Sequence, residues 1–352
     1  MLLYIHIPFC DSKCFYCAFN SYTSLHSLRD DYMKALDKQL QNELVKYNKP
    51  IETIFIGGGT PSTIEASQYM KILDRVRHHL VDDCEITIEA NPNSASLQWL
   101  EEIFALGINR ISFGVQSFDD EKLKFLGRNH SKNQAIEAIN NAKKVGFQNI
   151  NCDIIYDTSL DTKELLENDL EIIRSLPINH ISAYSLTIEE GTKFFDKSNV
   201  QIENEELARF LFGEFQKLGF SQYEISNFAL NQEARSKHNL GYWQYKEYLG
   251  VGSGAVGCIN NERLYSQKDV QKYIQNPLEY ESIEKLTKND ILIEKILLGL
   301  RSIVGVDTNV LSSESKKRVK ILLDTEKIEQ YKDRIYAKDF MLADELSLYL
   351  DI

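Results

Sequence analysis

The chain has 352 residues, enough for about two domains of ordinary size or one large α/β domain with an appendage. With 43% hydrophobic and 26% charged residues, 17 Gly and 6 Pro, it is neither a disordered chain nor a fibre. Its 40 basic against 52 acidic side chains give a net charge of −12, the reverse of what phosphate neutralisation requires, so no nucleic-acid partner is expected.

In chain order, strands are predicted at 2–7, 52–57, 84–90, 109–116, 148–155 and 180–187, with helices near 28–46, 65–80, 95–106, 131–145, 161–175 and 203–218. Six alternating strand–helix units imply a parallel sheet with right-handed crossovers. Within the strands one parity is apolar and the other polar. Glu85, Thr87 and Glu89 alternate with Ile86 and Ile88; Arg110, Ser112 and Gln116 with Ile111, Phe113 and Val115; Asn149, Asn151 and Asp153 with Ile150, Cys152 and Ile154. A doubly wound sheet is apolar on both faces, and a closed eight-stranded barrel fills its lumen with branched aliphatics. An α/β fold built as a partial (β/α)6 barrel with a polar lumen fits better. It is expected over 1–225, followed by a connecting segment over 226–279 and a small winged-helix-like α+β domain over 280–352. In that last domain helices are predicted at 288–300, 311–323 and 324–332, then a β-wing and a final helix within RIYAKDFMLADELSLYL.

The opening MLLYIHIPFC carries neither a basic leader nor an apolar run of secretory length. The most apolar window, ILIEKILLGLRSIVGV, is broken by Glu294, Lys295 and Arg301. A cytoplasmic protein is expected. Cys10, Cys14 and Cys17 crowd into eight residues, while Cys84, Cys152 and Cys258 stand far apart. That is the pattern of a metal or catalytic cluster rather than of a disulfide framework. Cys84 and Cys152 fall on the apolar parity and read as buried small hydrophobes. Three thiolates cannot close a structural zinc site; His6 would be the fourth ligand of one. Three thiolates on a 4Fe–4S cluster leave one iron with an open position. GGG at 57–59 follows a strand and precedes a helix, and is neither a dinucleotide-binding fingerprint nor a P-loop. Glu89, Gln116 and Asp153 lie near strand C-termini on the polar parity, where parallel α/β folds bind ligands. The plain reading of Glu89 is a lumen carboxylate paired with Arg110 or Arg128.

HIPFCDSKCFYC, with its Cx₃Cx₂C spacing and an aromatic before the third cysteine, resembles the signature of the radical S-adenosylmethionine (SAM) superfamily. The resemblance runs on through GGGTPS, EANPN, GVQSF, GRNH and NCDIIY to the C-terminal domain. It is nearest to the oxygen-independent coproporphyrinogen III oxidase-like group and, within it, to the HemW branch of haem chaperones. It implies that Cys10, Cys14 and Cys17 hold a 4Fe–4S cluster whose open iron chelates SAM. Reductive cleavage of SAM then gives a 5′-deoxyadenosyl radical. By the same resemblance Tyr4, Tyr16, Gly58, Gly59, Thr60, Glu89 and Thr187 contact SAM. Gln116, Arg128 and Asp153 belong to a set that contacts a second SAM in true decarboxylases.

Where true oxidases of the group carry a further cysteine two residues after the third ligand, this chain has Phe19. They also have a longer segment before the first cysteine. Both departures place the sequence with the chaperone branch and against decarboxylase activity, which is the alternative. The family's Gly-Leu-Pro-Gly turn after the fifth strand reads Asp157-Thr158-Ser159-Leu160 here. HNLGYW (238–243) matches the HNxxYW motif of the branch, which makes His238 a candidate haem ligand; the plain reading is a hydrogen-bonded structural histidine. Haem and an unidentified haem-acceptor protein are the partners the resemblance implies, with membrane association only through that acceptor.

Overall fold

The computed structural model describes residues 1–351; Ile352, the last residue of the expected C-terminal domain, lies outside the described residues. Six parallel strands lie side by side in sequence order: β1 (Leu2–Ile7), β2 (Ile51–Gly58), β3 (Leu80–Ala90), β4 (Arg110–Gln116), β5 (Asn149–Tyr156) and β6 (His180–Ser185). Their outer face is covered by α1 (Arg29–Tyr47), α2 (Ala66–Val76), α3 (Leu97–Ala105), α5 (Lys132–Val145), α6 (Lys163–Ser175) and α7 (Glu205–Lys217). A short helix absent from the sequence reading, α4 (Asp120–Leu126), starts where Asp119 caps the Lys122 amide.

The parity argument holds. Ile5, Ile54, Ile88, Ile111, Ile150 and Ile181 join one core with Leu40, Ile72, Leu100, Ile139, Leu170 and Phe215 of the covering helices. Cys84 and Cys152 lie in that core, as their parity requires. The opposite parity faces a cavity.

The sheet is wider than six strands. β7 (Ser221–Gln222) and β8 (Asn227–Ala229) extend it antiparallel beyond β6. On the other side β9 (Tyr248–Val251) pairs parallel with β1, and β10 (Val256–Ile259), β11 (Glu262–Ser266) and β12 (Tyr280–Lys285) follow antiparallel. Residues 226–279 are therefore not a linker. Their four strands, β8 to β11, all belong to the main sheet, which also claims 280–285 from the expected C-terminal domain. A separate small core forms around Ile296, Leu300, Val319, Leu322 and Ile335. Its elements are α10 (Lys288–Leu300), β13 (Val306–Asp307), α11 (Ser313–Asp324), β14 (Ile328–Tyr331), β15 (Arg334–Ala337) and α12 (Ala343–Asp351). A Thr287–Asp290 capping box sets the start of α10. The helix expected at 324–332 is instead the strand β14. Glu326 and Lys332 take positive φ (55° and 52°), which stops α11 and turns the chain back into β15.

The Asp157-Thr158-Ser159-Leu160 departure has a local explanation. Asp157 occupies the left-handed region (φ 63°) that glycine would otherwise fill, and its carboxylate accepts from Ser185 Oγ (2.7 Å) and the Asn204 amide (3.1 Å). Just beyond, Asp161 meets fully buried Lys122, whose Nζ also donates to the Ile155 carbonyl (2.7 Å). Removing one member of such a pair strands the other charge. Lys122→Met is expected to cost about 3–5 kcal/mol, read as a lower urea midpoint at unchanged slope. A midpoint equal to the parent's would show that Asp161 is solvated.

Candidate functional site

The loop after β1 carries the cysteine cluster and is tied at both ends. The Cys10 amide donates to Tyr22 O (3.1 Å), the Tyr22 amide to Pro8 O (2.8 Å), and the Phe15 amide to Leu126 O (3.0 Å). Cys10, Cys14 and Cys17 all line one cavity of about 440 Å³ at the C-terminal end of the strands. Thr60 Oγ1 donates to Cys10 Sγ and Arg128 Nη1 to Cys14 Sγ, both at 3.2 Å. Burial still raises the Cys10 thiol overall, the Thr60 donor offsetting only part of it.

His6 is not a metal ligand here. Its Nε2 donates to Asn20 O (2.8 Å) and its Nδ1 accepts from Tyr4 Oη (2.9 Å). Among the described residues no three His, Cys, Asp or Glu side chains are placed to hold a single metal ion. The zinc alternative therefore lacks both its fourth ligand and its geometry. Three thiols lining one cavity are the donor set that three irons of a 4Fe–4S cluster would take.

The glycine run answers separate collisions. Gly58 sits at φ +113°, and a Cβ there would lie 2.4 Å from the His6 ring. A Cβ on Gly59 would meet the Phe9 and Ile7 carbonyls at 2.7 and 2.8 Å. The Gly59 and Thr60 amides are spent on those same carbonyls, so this ridge presses β2 against the end of β1. The Gly58 amide donates into the cavity, to Glu89 Oε2 (3.1 Å).

Glu89 forms an ion pair with neither Arg110 nor Arg128, against the plain sequence reading. Burial, then repulsion from Asp153, pushes its carboxyl up to about 8. Burial pushes Asp153 up to about 6, although it accepts from Asn151 Nδ2 (2.6 Å). Arg128 Nη2 instead reaches Asn91 Oδ1 (2.6 Å) and Gly114 O. Gln116 ends β4 at φ 73° with its Oε1 buried and unpartnered, so a strained residue aims a free acceptor at this region. Tyr16 and Thr187 also line the cavity. Tyr4 does not; it faces a neighbouring groove and uses its hydroxyl on His6.

Sequence reasoning passed over Asn91 and His180, and gave Asn151 and Arg110 no role beyond lumen-facing polar groups. Their signal was the polar strand parity. His180 donates from Nδ1 to Asn151 Oδ1 (2.6 Å) and takes Tyr223 Oη on Nε2 (2.7 Å), and burial holds it neutral. The Arg110 guanidinium is 2% exposed and reaches the Ala234 carbonyl (2.8 Å) at the cavity floor.

His238 lies elsewhere. It is buried in α8 (Lys237–Trp243) with Nδ1 on Thr53 Oγ1 (2.7 Å) and Nε2 on Tyr242 Oη (3.0 Å), and burial pushes its pKa down to about 3. Both ring nitrogens are occupied, so neither offers a lone pair to iron. The candidate haem ligand is placed as the structural histidine that the bare sequence favoured.

Residues 4–173 match the family model of the radical SAM superfamily. The chain is 35% identical over 318 residues to the haem chaperone HemW of Bacillus subtilis, covering 86% of this chain and 84% of that protein. It is 38% identical over 268 residues to HemW of Escherichia coli, covering 73% and 70%. The solved coproporphyrinogen III oxidase HemN of Escherichia coli, a radical SAM enzyme, superposes with a TM-score of 0.84 at 21% identity, over 99% of this chain and 90% of that one. These matches define the class first: a radical SAM fold with its cysteine loop at the mouth of a partial barrel. The chain belongs to the HemW family, a branch of the coproporphyrinogen III oxidase-like radical SAM proteins.

Two outcomes follow from the site geometry. A carboxyl whose pKa rises from 4.5 to about 8 on folding stabilises the fold fully below 4.5 and loses that contribution as pH climbs through 8. Glu89→Gln should therefore raise the Tm of the ligand-free protein increasingly between pH 5 and pH 8; a Tm difference constant with pH would mean that Glu89 titrates normally. His238→Ala should lower stability by about 1–3 kcal/mol, because the Thr53 and Tyr242 hydroxyls lose their partner, while iron and sulfide content stay at the parent level. Loss of the cluster in that variant would contradict its placement away from the cavity.

Proposed function

We propose that this protein handles haem as a radical SAM chaperone. It holds a 4Fe–4S cluster on Cys10, Cys14 and Cys17, takes up exchangeable SAM beside it, and binds haem for delivery to an acceptor protein. The observation that carries the reading is one cavity in which three thiols of a single loop, a glycine ridge and the Glu89–Asp153 pair face each other. When bound, the cluster supplies an iron with an open position for the amino and carboxylate groups of SAM.

The remaining work falls to the chain. Thr60 and Arg128 each direct a donor at a cysteine sulfur of the loop and so orient two of its three thiols. Glu89 and Asp153 raise each other's cost of ionisation, and a sulfonium or ammonium placed near them would relieve it. That is the recognition a cationic cofactor needs. Gln116 offers a free amide oxygen for a hydroxyl or amine. Haem enters from the activity named for the Bacillus subtilis and Escherichia coli relatives. No helix among the described residues is long and apolar enough to cross a membrane. All six cysteines are free, which fits a reducing, cytoplasmic compartment.

Anaerobic reconstitution tests the reading. Cys10→Ala, Cys14→Ala and Cys17→Ala should each lose the visible absorption and acid-labile sulfide of a cuboidal cluster, while joint replacement of Cys84, Cys152 and Cys258 should leave both. Sulfide retained by Cys14→Ala would break the ligand set. The reconstituted protein with SAM and reductant should bind haem and leave coproporphyrinogen III unconverted. Protoporphyrinogen formed over many turnovers would instead make it a decarboxylase.

A further inference from the structure

The cluster loop has two sides. One faces the cavity just described. The other faces a larger, more open groove of about 700 Å³, and Lys13, Cys17, Ala18, Phe19 and Ser21 line both. Resting on the haem-handling reading above, we propose that haem lies in this groove and is held by its macrocycle and propionates rather than through its iron.

The groove runs between the loop and the β9–β10 turn, and its volume lies within the roughly 300–1,000 Å³ of small-molecule sites. Its walls are aromatic. Phe19 stands on the loop side with 67% of its surface exposed, an unusual state for a large apolar ring. Tyr242 and Tyr248 stand opposite, packed edge-to-face with centroids 4.8 Å apart, and Val256 lies beside them. Such rings offer flat contact to a planar conjugated ligand. Lys13 and Lys268 lie at the rim, exposed, and neither has an acidic partner within 4 Å among the described residues. Two ammonium groups without a carboxylate partner, Lys13 held only by long bonds to the Phe19 and Ser21 carbonyls (3.5 Å each), complement two propionates; Glu190 is the acid on the same rim. The 440 Å³ cavity also has aromatic rings and arginines in its lining, but it is smaller and carries the buried Glu89–Asp153 pair, which would repel propionates.

Apart from Cys17, which the reading above commits to the cluster, the lining offers iron no free strong ligand. His6, its imidazole, has both nitrogens engaged. Tyr242 is bonded to His238, and Tyr22 to Asn20 Oδ1 (3.1 Å) and Lys268 O (3.2 Å). Burial raises the Tyr248 phenol, against the phenolate iron would need. Weak ligation suits a protein that must release its cargo, because hand-off then breaks no strong metal–ligand bond.

The test titrates the reconstituted full-length protein with haemin, metal-free protoporphyrin IX and haemin dimethyl ester, following absorption and intrinsic fluorescence. Haemin and protoporphyrin IX should bind within about threefold of each other and the diester about tenfold more weakly. Val256→Trp, which fills the groove, and Lys268→Glu, a change at an exposed side chain, should each weaken haemin binding about fivefold or more, with cluster content and SAM binding unchanged. If the parent binds haemin and both variants match it, the groove is the wrong place while the chaperone reading stands. If haemin binds more than about a hundredfold tighter than protoporphyrin IX, iron ligation dominates and the macrocycle mode is wrong. If the parent binds no haemin at all, the haem-handling reading fails as well.

Discussion

The imidazole of His6 is the joint on which the site turns. One nitrogen holds the carbonyl of Asn20 on the cluster loop, the other takes the hydroxyl of Tyr4 on its own strand, and the ring fills the space a Gly58 side chain would need. Three parts of the molecule thus meet at one ring: the strand that leads into the cysteines, the loop that carries them, and the glycine ridge of the next strand. Burial lowers the pKa of this histidine, and the Asn20 carbonyl requires hydrogen on Nε2, so in the neutral ring Nδ1 is left to accept from Tyr4. The tautomer with hydrogen on Nδ1 would lose the bond to the loop. The loop's position is therefore set by a hydrogen-bond pattern, before any metal contributes.

Inside the lumen, charge is separated by depth. The acid pair Glu89 and Asp153 lies toward the cysteine loop. Arg110 lies two residues earlier along β4 than Ser112, the register partner of Glu89, so its backbone sits about 7 Å deeper. Between them Asn151 and His180 form a neutral network with every donor directed at an acceptor. A buried polar network of this kind rigidifies when complete. The cavity thus keeps a fixed wall of dipoles, with unpartnered oxygens at Gln116 near its mouth and at Thr87, level with Arg110.

Much of this was legible in the sequence because period-two alternation carries direction. Glu89, Ser112, Asn151 and Asp153 were assigned to a wet interior from parity alone, and their partners in the helix-facing core followed. The six parallel strands and the 288–300 helix were recoverable for the same reason: each has a clear period or cap. What escaped had no local period. β9 to β12 are four to six residues long and owe their place to pairing with distant strands. The 324–332 segment looked helical because a two-residue hairpin turn built on Lys332-Asp333 lacks the usual glycine. His238 was ambiguous because a motif specifies neighbours in sequence, whereas ligand availability depends on Thr53, 185 residues away. Asp157 replaced an expected glycine by supplying its own hydrogen bonds to a left-handed turn.

The wall of the cluster loop is completed from far along the chain. Asn20 Nδ2 donates to Ser253 O (3.1 Å) and Lys268 O (3.1 Å), contacts that span 233 and 248 residues, and β1 takes β9 as a parallel neighbour on its free edge. Contacts of such separation form late, since the loop that joins them must close first. A ribosome that has released only the six strand–helix units has made the cysteines but not their enclosure. Metal loading during synthesis would meet an open, oxidisable loop. The architecture therefore leaves the three thiols without their full enclosure until the sheet extension has been translated, and makes that extension a safeguard on when the loop takes its final place.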